Sequence, residues 1–484
     1  MEIAMEYILK DYQPAALFRY FEEISAIPRG SGNEKGIADY LCAFAEEQGL
    51  AYYRDDLHNV AIFKDAAVGF EDKEAVMLQG HTDMVCEKNA DTVHDFEKDG
   101  IKLIEKDGIL TADGTTLGGD DGAAVAMMMA VLADKELKAP RIECLFTVQE
   151  ETGLGGAVYF DYSKLSARRI INLDTEKEGE AIASCAGSMN LSFKIAPDFL
   201  PFKNQSVKIS VLGLAGGHSG TDIDSGRRNS IMLLGQLLAA LYEKTPFNLV
   251  SLEGGNKRNA IPREATAVIS VLDREQALAE IKALSASFYP LLVKEDRGLK
   301  IRADKCAKPE KMMSYADTSR ALSLLTLVPN GVIAMSNGKK GLVESSSNLG
   351  VVRTAEEGME FSVYARSSVE SEMDRVYLAM KRMAKLVDME LIFLDRCPGW
   401  AFNPDSALQK DFVRVYKETF PEGGEPVVEA IHAGLECGII IEKMGGGDAL
   451  SIGPNMKDIH TPKESLDLRS MERTYKLLLN LLQA

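Results

Sequence analysis

Ile37, Tyr40, Leu41 and Phe44 recur at helical spacing behind Ser31-Gly-Asn-Glu34, which has the spacing of a capping box, so an amphipathic helix is predicted over about 33–48. The pattern then switches. Residues 74–79 (EAVMLQ) read as a strand, 122–137 as a helix rich in Ala and Met, 141–148 as a strand and 169–173 as another. Helix and strand in this alternation predict an α/β fold, a three-layer domain around a central mixed sheet.

From about Met189 the texture changes. Alternating 207–211, a helix over 229–243, a strand over 265–272 and a helix over 274–287 are followed by a second set. That set has strands at 350–353 and 359–365, a helix over 371–386 and a strand over 389–394. Sheets with helices on one face, in a block of about 200 residues, predict an α+β domain containing duplicated βαβ-type units. After Cys397-Pro-Gly399 come a helix over 405–420 and strands at 427–431 and 449–452, which return to complete the first sheet. The layout is therefore one domain, 1–187 and 396–484, interrupted by a second, 188–395.

Composition narrows the functional classes. Lys+Arg 55 against Asp+Glu 73 gives a net charge of −18, so the chain lacks the basic field that would hold a nucleic-acid backbone. No apolar run reaches the roughly 18 residues of a membrane span. The start, MEIAMEYILKDYQ, has neither a basic region nor an apolar core of signal-peptide type. Seven cysteines, an odd number without CxxC pairs, suit a reducing cytoplasm.

Only six histidines occur. His58 and His94 lie in polar loops and read as structural. His81 differs: in Gly80-His-Thr-Asp83 it follows an apolar strand, at the carboxyl end where open α/β sheets bind ligands. Gly118-Gly-Asp-Asp-Gly122 stands at a helix start, Thr147-Val-Gln-Glu-Glu-Thr-Gly153 and Asn172-Leu-Asp-Thr175 follow strands, and Asp458-Ile-His460 lies beyond another. Taken singly, each is ordinary turn or cap chemistry. Together on one sheet edge they point to shared cations, because zinc accepts imidazole nitrogen and carboxylate oxygen, and two metals need about five protein ligands when one ligand bridges. Two His and three carboxylates meet that need and leave one Glu over, free to take a proton from metal-activated water. Hydrolysis is the implied reaction. There is no GxxxxGK loop and no HExxH helix, and Gly217-His-Ser-Gly220 has Thr221 where a GxSxG elbow needs glycine.

These residues resemble the M20 metallopeptidase family, and within it the aminoacyl-histidine dipeptidase (Xaa-His dipeptidase, carnosinase-like) branch. The resemblance spans nearly the whole chain. Its markers are Ser25-Ala-Ile-Pro28, His81-Thr-Asp-Met84, Asp91-Thr-Val-His-Asp-Phe96, Gly114-Thr-Thr-Leu-Gly-Gly-Asp-Asp-Gly122, Gly216-Gly-His-Ser-Gly220, Asn259-Ala-Ile-Pro-Arg-Glu264 and His432-Ala-Gly-Leu-Glu-Cys-Gly438. It implies two Zn2+ ions, replaceable by Co2+ or Mn2+, with His81, Asp120 and Asp174 on one, Asp120, Glu151 and His460 on the other, and Asp120 bridging. It further implies Glu150 as general base, Asp83 orienting His81, and His218 supporting the oxyanion. Asn259 and Arg366 would grip the substrate carboxylate, and His432 and Glu436 would line the pocket. Asp121 falls where relatives often carry Asn and is not assigned as a ligand. The expected protein is a cytoplasmic dipeptidase, homodimeric through the inserted lid domain, that cleaves Xaa-His and other unblocked dipeptides and engages neither nucleic acid nor membrane. The alternatives are an M20-type N-acyl amino acid deacylase and a non-catalytic metal- or ligand-binding protein on the same fold.

Overall fold

A computed structural model describes residues 7–484; residues 1–6, on which the reading of the amino terminus partly rests, lie outside the described residues. The chain divides into two compact units. The first runs up to Ser184 and takes in Phe402–Ala430 and Leu435–Ala484, and the second comprises Cys185–Ala401 and Ile431–Gly434. His432, expected in the returning segment of the first domain, thus belongs to the second unit.

The first unit is built on an eight-stranded mixed sheet. Its centre is four parallel strands in the order Ile142–Thr147, Val76–His81, Arg169–Asn172 and Asp448–Ser451. Antiparallel Val60–Lys64 and Ala51–Arg54 extend one side; antiparallel Glu180–Cys185, followed by Val427–Ile431, extends the other. Every residue of Val76–His81 and of Ile142–Thr147 is buried, as expected of parallel strands covered on both faces. Successive side chains on a strand point to opposite faces. A Cβ on Gly80 would meet Ala124 of helix Gly119–Ala133, whereas Gln79 bonds Glu436 of helix Glu436–Lys443, so these two helices lie on opposite sides of the sheet. That gives the three layers. A small four-stranded sheet adds the hairpin of Met456–Lys457 and Ser465–Asp467, whose loop carries His460.

Two local expectations are corrected. Helix Lys35–Gln48 has no capping box: Ser31 Oγ donates instead to Asp83, and Glu34 accepts from the Gly32 and Gln149 backbones, so tertiary partners take both side chains. The helix expected over 122–137 ends at Ala133; Asp120 and Asp121 keep non-helical dihedrals with a cis peptide between them, so its regular turns start at Gly122.

The second unit is antiparallel throughout. Its large sheet runs Lys300–Lys305, Gln205–Leu212, Ala265–Val271, Phe247–Gly254, Val343–Ala355, Gly358–Ser367, Gly187–Ile195 and Glu390–Cys397, with Gly331–Met335 paired to Val343–Ala355. Strand and helix order resolves it into two β-α-β-β-α-β units of the split type. One, between 205 and 305, is inserted into the other, which opens with Gly187–Ile195 and closes with Glu390–Cys397. Helices Ser230–Tyr242, Arg274–Ser285, Tyr315–Leu327 and Glu370–Leu386 contribute Leu234, Leu238, Ile281, Leu325 and Met380 to a core shared with Phe193, Ile209, Ile269 and Phe361.

Candidate functional site

At the carboxyl ends of the parallel strands of the first unit, acidic side chains and two imidazoles converge. His81 ends its strand and is 1% exposed. Its Nδ1 lies 3.1 Å from the backbone carbonyl of Asp83 and 3.4 Å from the Asp83 carboxylate, which directs Nε2 toward Asp120 Oδ1 at 3.0 Å and Asp174 Oδ1 at 3.8 Å. The second carboxylate oxygen of Asp120 is 3.1 Å from His460 Nε2, and that nitrogen is 2.8 Å from Glu151 Oε1. Asp120 therefore stands between the two imidazoles.

Three groups of ligand atoms each lie within 4.8 Å of one another: Asp120, Glu151 and His460; His81, Asp121 and Asp174; and His81, Glu150 and Glu151. The first is one of the two ligand sets implied by the resemblance. In the second, Asp121 appears beside His81 and Asp174 although it was not assigned; its Oδ2 accepts from the His81 backbone N–H at 3.2 Å.

The electrostatics call for a cation. Burial pushes Asp121 and Asp174 well above the usual carboxylate range and takes Glu150 up to about 8. Hydrogen bonds donated to Asp120 and Glu151 raise His460 to about 10. At His81 burial favours the neutral ring, yet the bonds to Asp120 and Asp83 outweigh it and raise the pKa. Protons gathering on imidazoles and buried acids report a concentration of negative charge, which a divalent ion would neutralise directly. Asp121 Oδ1 is buried without a hydrogen bond. Carboxylate oxygens, one of them orphaned, beside imidazole nitrogens fit zinc or a similar divalent ion.

Asp83, named in the sequence, and two side chains that were not, Glu464 and Arg29, build this arrangement. Asp83 accepts from the backbone N–H groups of Glu150 and Glu151 at 3.0 and 3.3 Å and from Ser31 Oγ at 2.8 Å, so it positions the Glu150-Glu151 turn as well as His81. Glu464, 3% exposed, accepts from four consecutive backbone N–H groups, Leu117 to Asp120, at 2.8–3.3 Å. Arg29, fully enclosed, donates to the carbonyls of Thr82 and Gly118. Glu464 lies four residues after His460, which is the only sequence signal it offers.

The remaining predicted residues gather in the second unit. His218 and Ala260 pair between the short strands Gly217–His218 and Ala260–Ile261, with exposed Asn259 next in chain. Arg366, 5% exposed, donates to His218 Nε2 at 3.2 Å and packs over the Tyr364 ring at 4.7 Å. Burial and then the Arg366 charge lower the His218 pKa, and its Nδ1 accepts from the Thr221 backbone N–H at 3.2 Å and lies 3.3 Å from Thr221 Oγ1. His432 Nε2 lies 2.7 Å from Ser346 Oγ, and Ser346 is the register partner of Arg366. Glu436 is in the first unit, completely buried against Gln79 and Thr147. His58 meets Arg54, and His94 meets Phe96 edge to face.

Residues 77–484 match the model of peptidase family M20/M25/M40. The cytosol non-specific dipeptidase of Escherichia coli K12 is 35% identical over 482 residues, 98% of each chain. The crystal structure of aminoacylhistidine dipeptidase from Vibrio alginolyticus aligns over 100% of this chain and 98% of its own, with TM-score 0.92 and 34% identity. An aminopeptidase from Bacillus cereus, 17% identical over 97% of both chains with TM-score 0.55, shares the fold.

Proposed function

The chain belongs to peptidase family M20/M25/M40, and from that premise we propose that it is a dipeptidase hydrolysing Xaa-His and other unblocked dipeptides with two bound zinc ions. One observation carries the reading. His81, Asp120, Glu151, Asp174 and His460 converge in one acidic cluster, with Glu150 held beside them. His81 and Asp174 would hold one ion, Glu151 and His460 the other, and Asp120 both; cobalt or manganese could replace zinc. When bound, the ions polarise the scissile carbonyl and make water a stronger acid.

The chain's own groups do the rest. The Glu150 carboxylate takes a proton from the attacking water and passes it to the amide nitrogen as the C–N bond breaks. Asp83 holds the backbone of Glu150 through its carboxylate and the ring of His81 through its backbone carbonyl, so base and ligand are fixed by one residue. Arg366 grips the substrate carboxylate with Asn259 as a second contact. His218 supports the oxyanion, a role that requires its Nε2 to exchange the Arg366 donor for a proton of its own. The protein is taken to work in the cytoplasm as a homodimer joined through the second unit; among the described residues no helix is long and apolar enough to cross a membrane.

Release of free histidine from β-alanyl-histidine and alanyl-histidine, beside N-acetyl-histidine, tests the reading on zinc-loaded protein. Cleavage of the unblocked dipeptides alone, abolished by a chelator, is expected. Preference for the acetylated compound would make the protein a deacylase, and no turnover with two ions bound would leave a binding role. Light scattering tests the dimer. Mixing His218→Ala with Glu150→Gln protein restores activity only if His218 serves the partner's site.

A further inference from the structure

Three neighbouring parallel strands each carry a fully buried polar side chain just before the ligand-bearing end. Gln79 lies two residues before His81, Thr147 three before Glu150, and Asn172 two before Asp174. The remaining side chains of these strands are mainly apolar, so the three polar groups form a layer of their own. Asn172 Nδ2 donates to Gln79 Oε1 at 2.7 Å, and Gln79 Nε2 donates to Thr147 Oγ1 at 3.1 Å and to Glu436 Oε2 at 2.6 Å. Thr147 Oγ1 donates to the same Glu436 oxygen at 2.7 Å. At the other end Asn172 Oδ1 accepts from the backbone N–H of Asp174 at 3.3 Å.

Every donor in this chain points toward Glu436, the common terminal acceptor. Glu436 comes from a distant segment, opens helix Glu436–Lys443 and is 0% exposed. A buried carboxylate is costly unless its bonds are good, and two short bonds to one oxygen are of the strong charge-assisted kind. The geometry points to Glu436 as a positioning residue: through Gln79, Thr147 and Asn172 it ties together the ends of three strands, and so sets the spacing of His81, the Glu150-Glu151 turn and Asp174. This rests on the metal-dependent reading above. Without Glu436, Gln79 and Thr147 keep buried donors with no acceptor, and the strand ends can settle independently.

Glu436→Ala, Glu436→Gln and Thr147→Val separate this role from its rivals. The first readout is the zinc affinity of metal-stripped protein, measured in competition with a chromophoric chelator; the second is kcat and KM for alanyl-histidine; urea unfolding checks the fold. Glu436→Ala is expected to weaken zinc binding about 10–100-fold and to lower kcat with KM within about twofold. Glu436→Gln, which keeps an acceptor oxygen, should recover most of both losses, and isosteric Thr147→Val should fall between. Folded Glu436→Ala with wild-type zinc affinity and kcat overturns the proposal. So does a raised KM for unblocked dipeptides at unchanged zinc affinity, because Glu436 would then be receiving the substrate ammonium. If Glu436→Ala does not fold, Thr147→Val decides, and wild-type affinity there is equally fatal. Wild-type protein that binds no zinc defeats the metal reading first, and the positioning role falls with it.

Discussion

Glu150 is positioned through its backbone: Asp83 takes its N–H, leaving the carboxylate unencumbered at the metal-binding cluster. Glu150→Gln keeps that bond and removes only the base, so turnover should fall roughly 10²–10⁴-fold with zinc affinity retained; kcat and a zinc titration check it. His432 carries a pH prediction. Burial, then the Arg366 charge, lowers its pKa from 6.5 to about 3. Between those values the unfolded chain binds the proton and the folded one does not, so stability falls as pH drops from 6.5 to 3 and the contribution is constant above that window. His432→Gln should flatten the dependence of melting temperature on pH across it. An unchanged slope would show that His432 does not feel this environment. Residue types and strand-end positions made His81, Asp120, Glu150 and Asp174 legible in sequence. Arg29 and Glu464 were not, because an isolated Arg or Glu carries no spacing that separates a buried clamp from a surface charge.

At the level of elements, strand Val76–His81 and helix Gly119–Ala133 meet at Gly80. A Cβ there would sit 2.5 Å from Asp121 Oδ2 and 2.6 Å from Ala124 Cβ. Gly80→Ala should therefore force helix and strand apart, costing about 1–3 kcal/mol and weakening zinc binding; urea midpoints and chelator competition measure the two effects. The start of the same helix depends on Glu464, which collects four backbone N–H groups and so joins the Asp120 loop to the His460 hairpin. Glu464→Ala leaves those donors uncapped, and a stability loss together with weaker zinc binding is the expected result; loss of stability alone would reduce Glu464 to a cap. Periodicity located most of the long elements and the regular start of this helix at Gly122, but it carried the end past Ala133 to 137. Gly119, Asp120 and Asp121 carry no apolar period, and the side chain that caps their backbone comes from residue 464.

Across the whole molecule, the candidate ligands belong to one unit only, so metal should stabilise that unit by mass action. At 100 times the dissociation constant a bound ion adds about 2.7 kcal/mol. Stripping zinc should therefore lower the melting temperature and increase hydrogen exchange in Val76–His81, Ile142–Thr147 and Arg169–Asn172, while strands such as Gln205–Leu212 in the second unit keep their protection. Equal loosening of both units would contradict the assignment of the ions to the first.

Hydrophobic periodicity determined that this chain forms an α/β sheet interrupted by an α+β block, because burial of one face or both is written directly into the spacing of apolar residues. The run of acids and imidazoles after successive strands determined where the candidate site lies, because parallel strands deliver their carboxyl ends to one edge. Only tertiary structure decided which groups hold that edge in place. Glu436 beneath Gln79, Glu464 across the Asp120 loop and Ser346 against His432 are joined over separations of 86 to 357 residues. Local pattern carries no record of such partners, since a buried polar group is satisfied by whatever the fold brings to it.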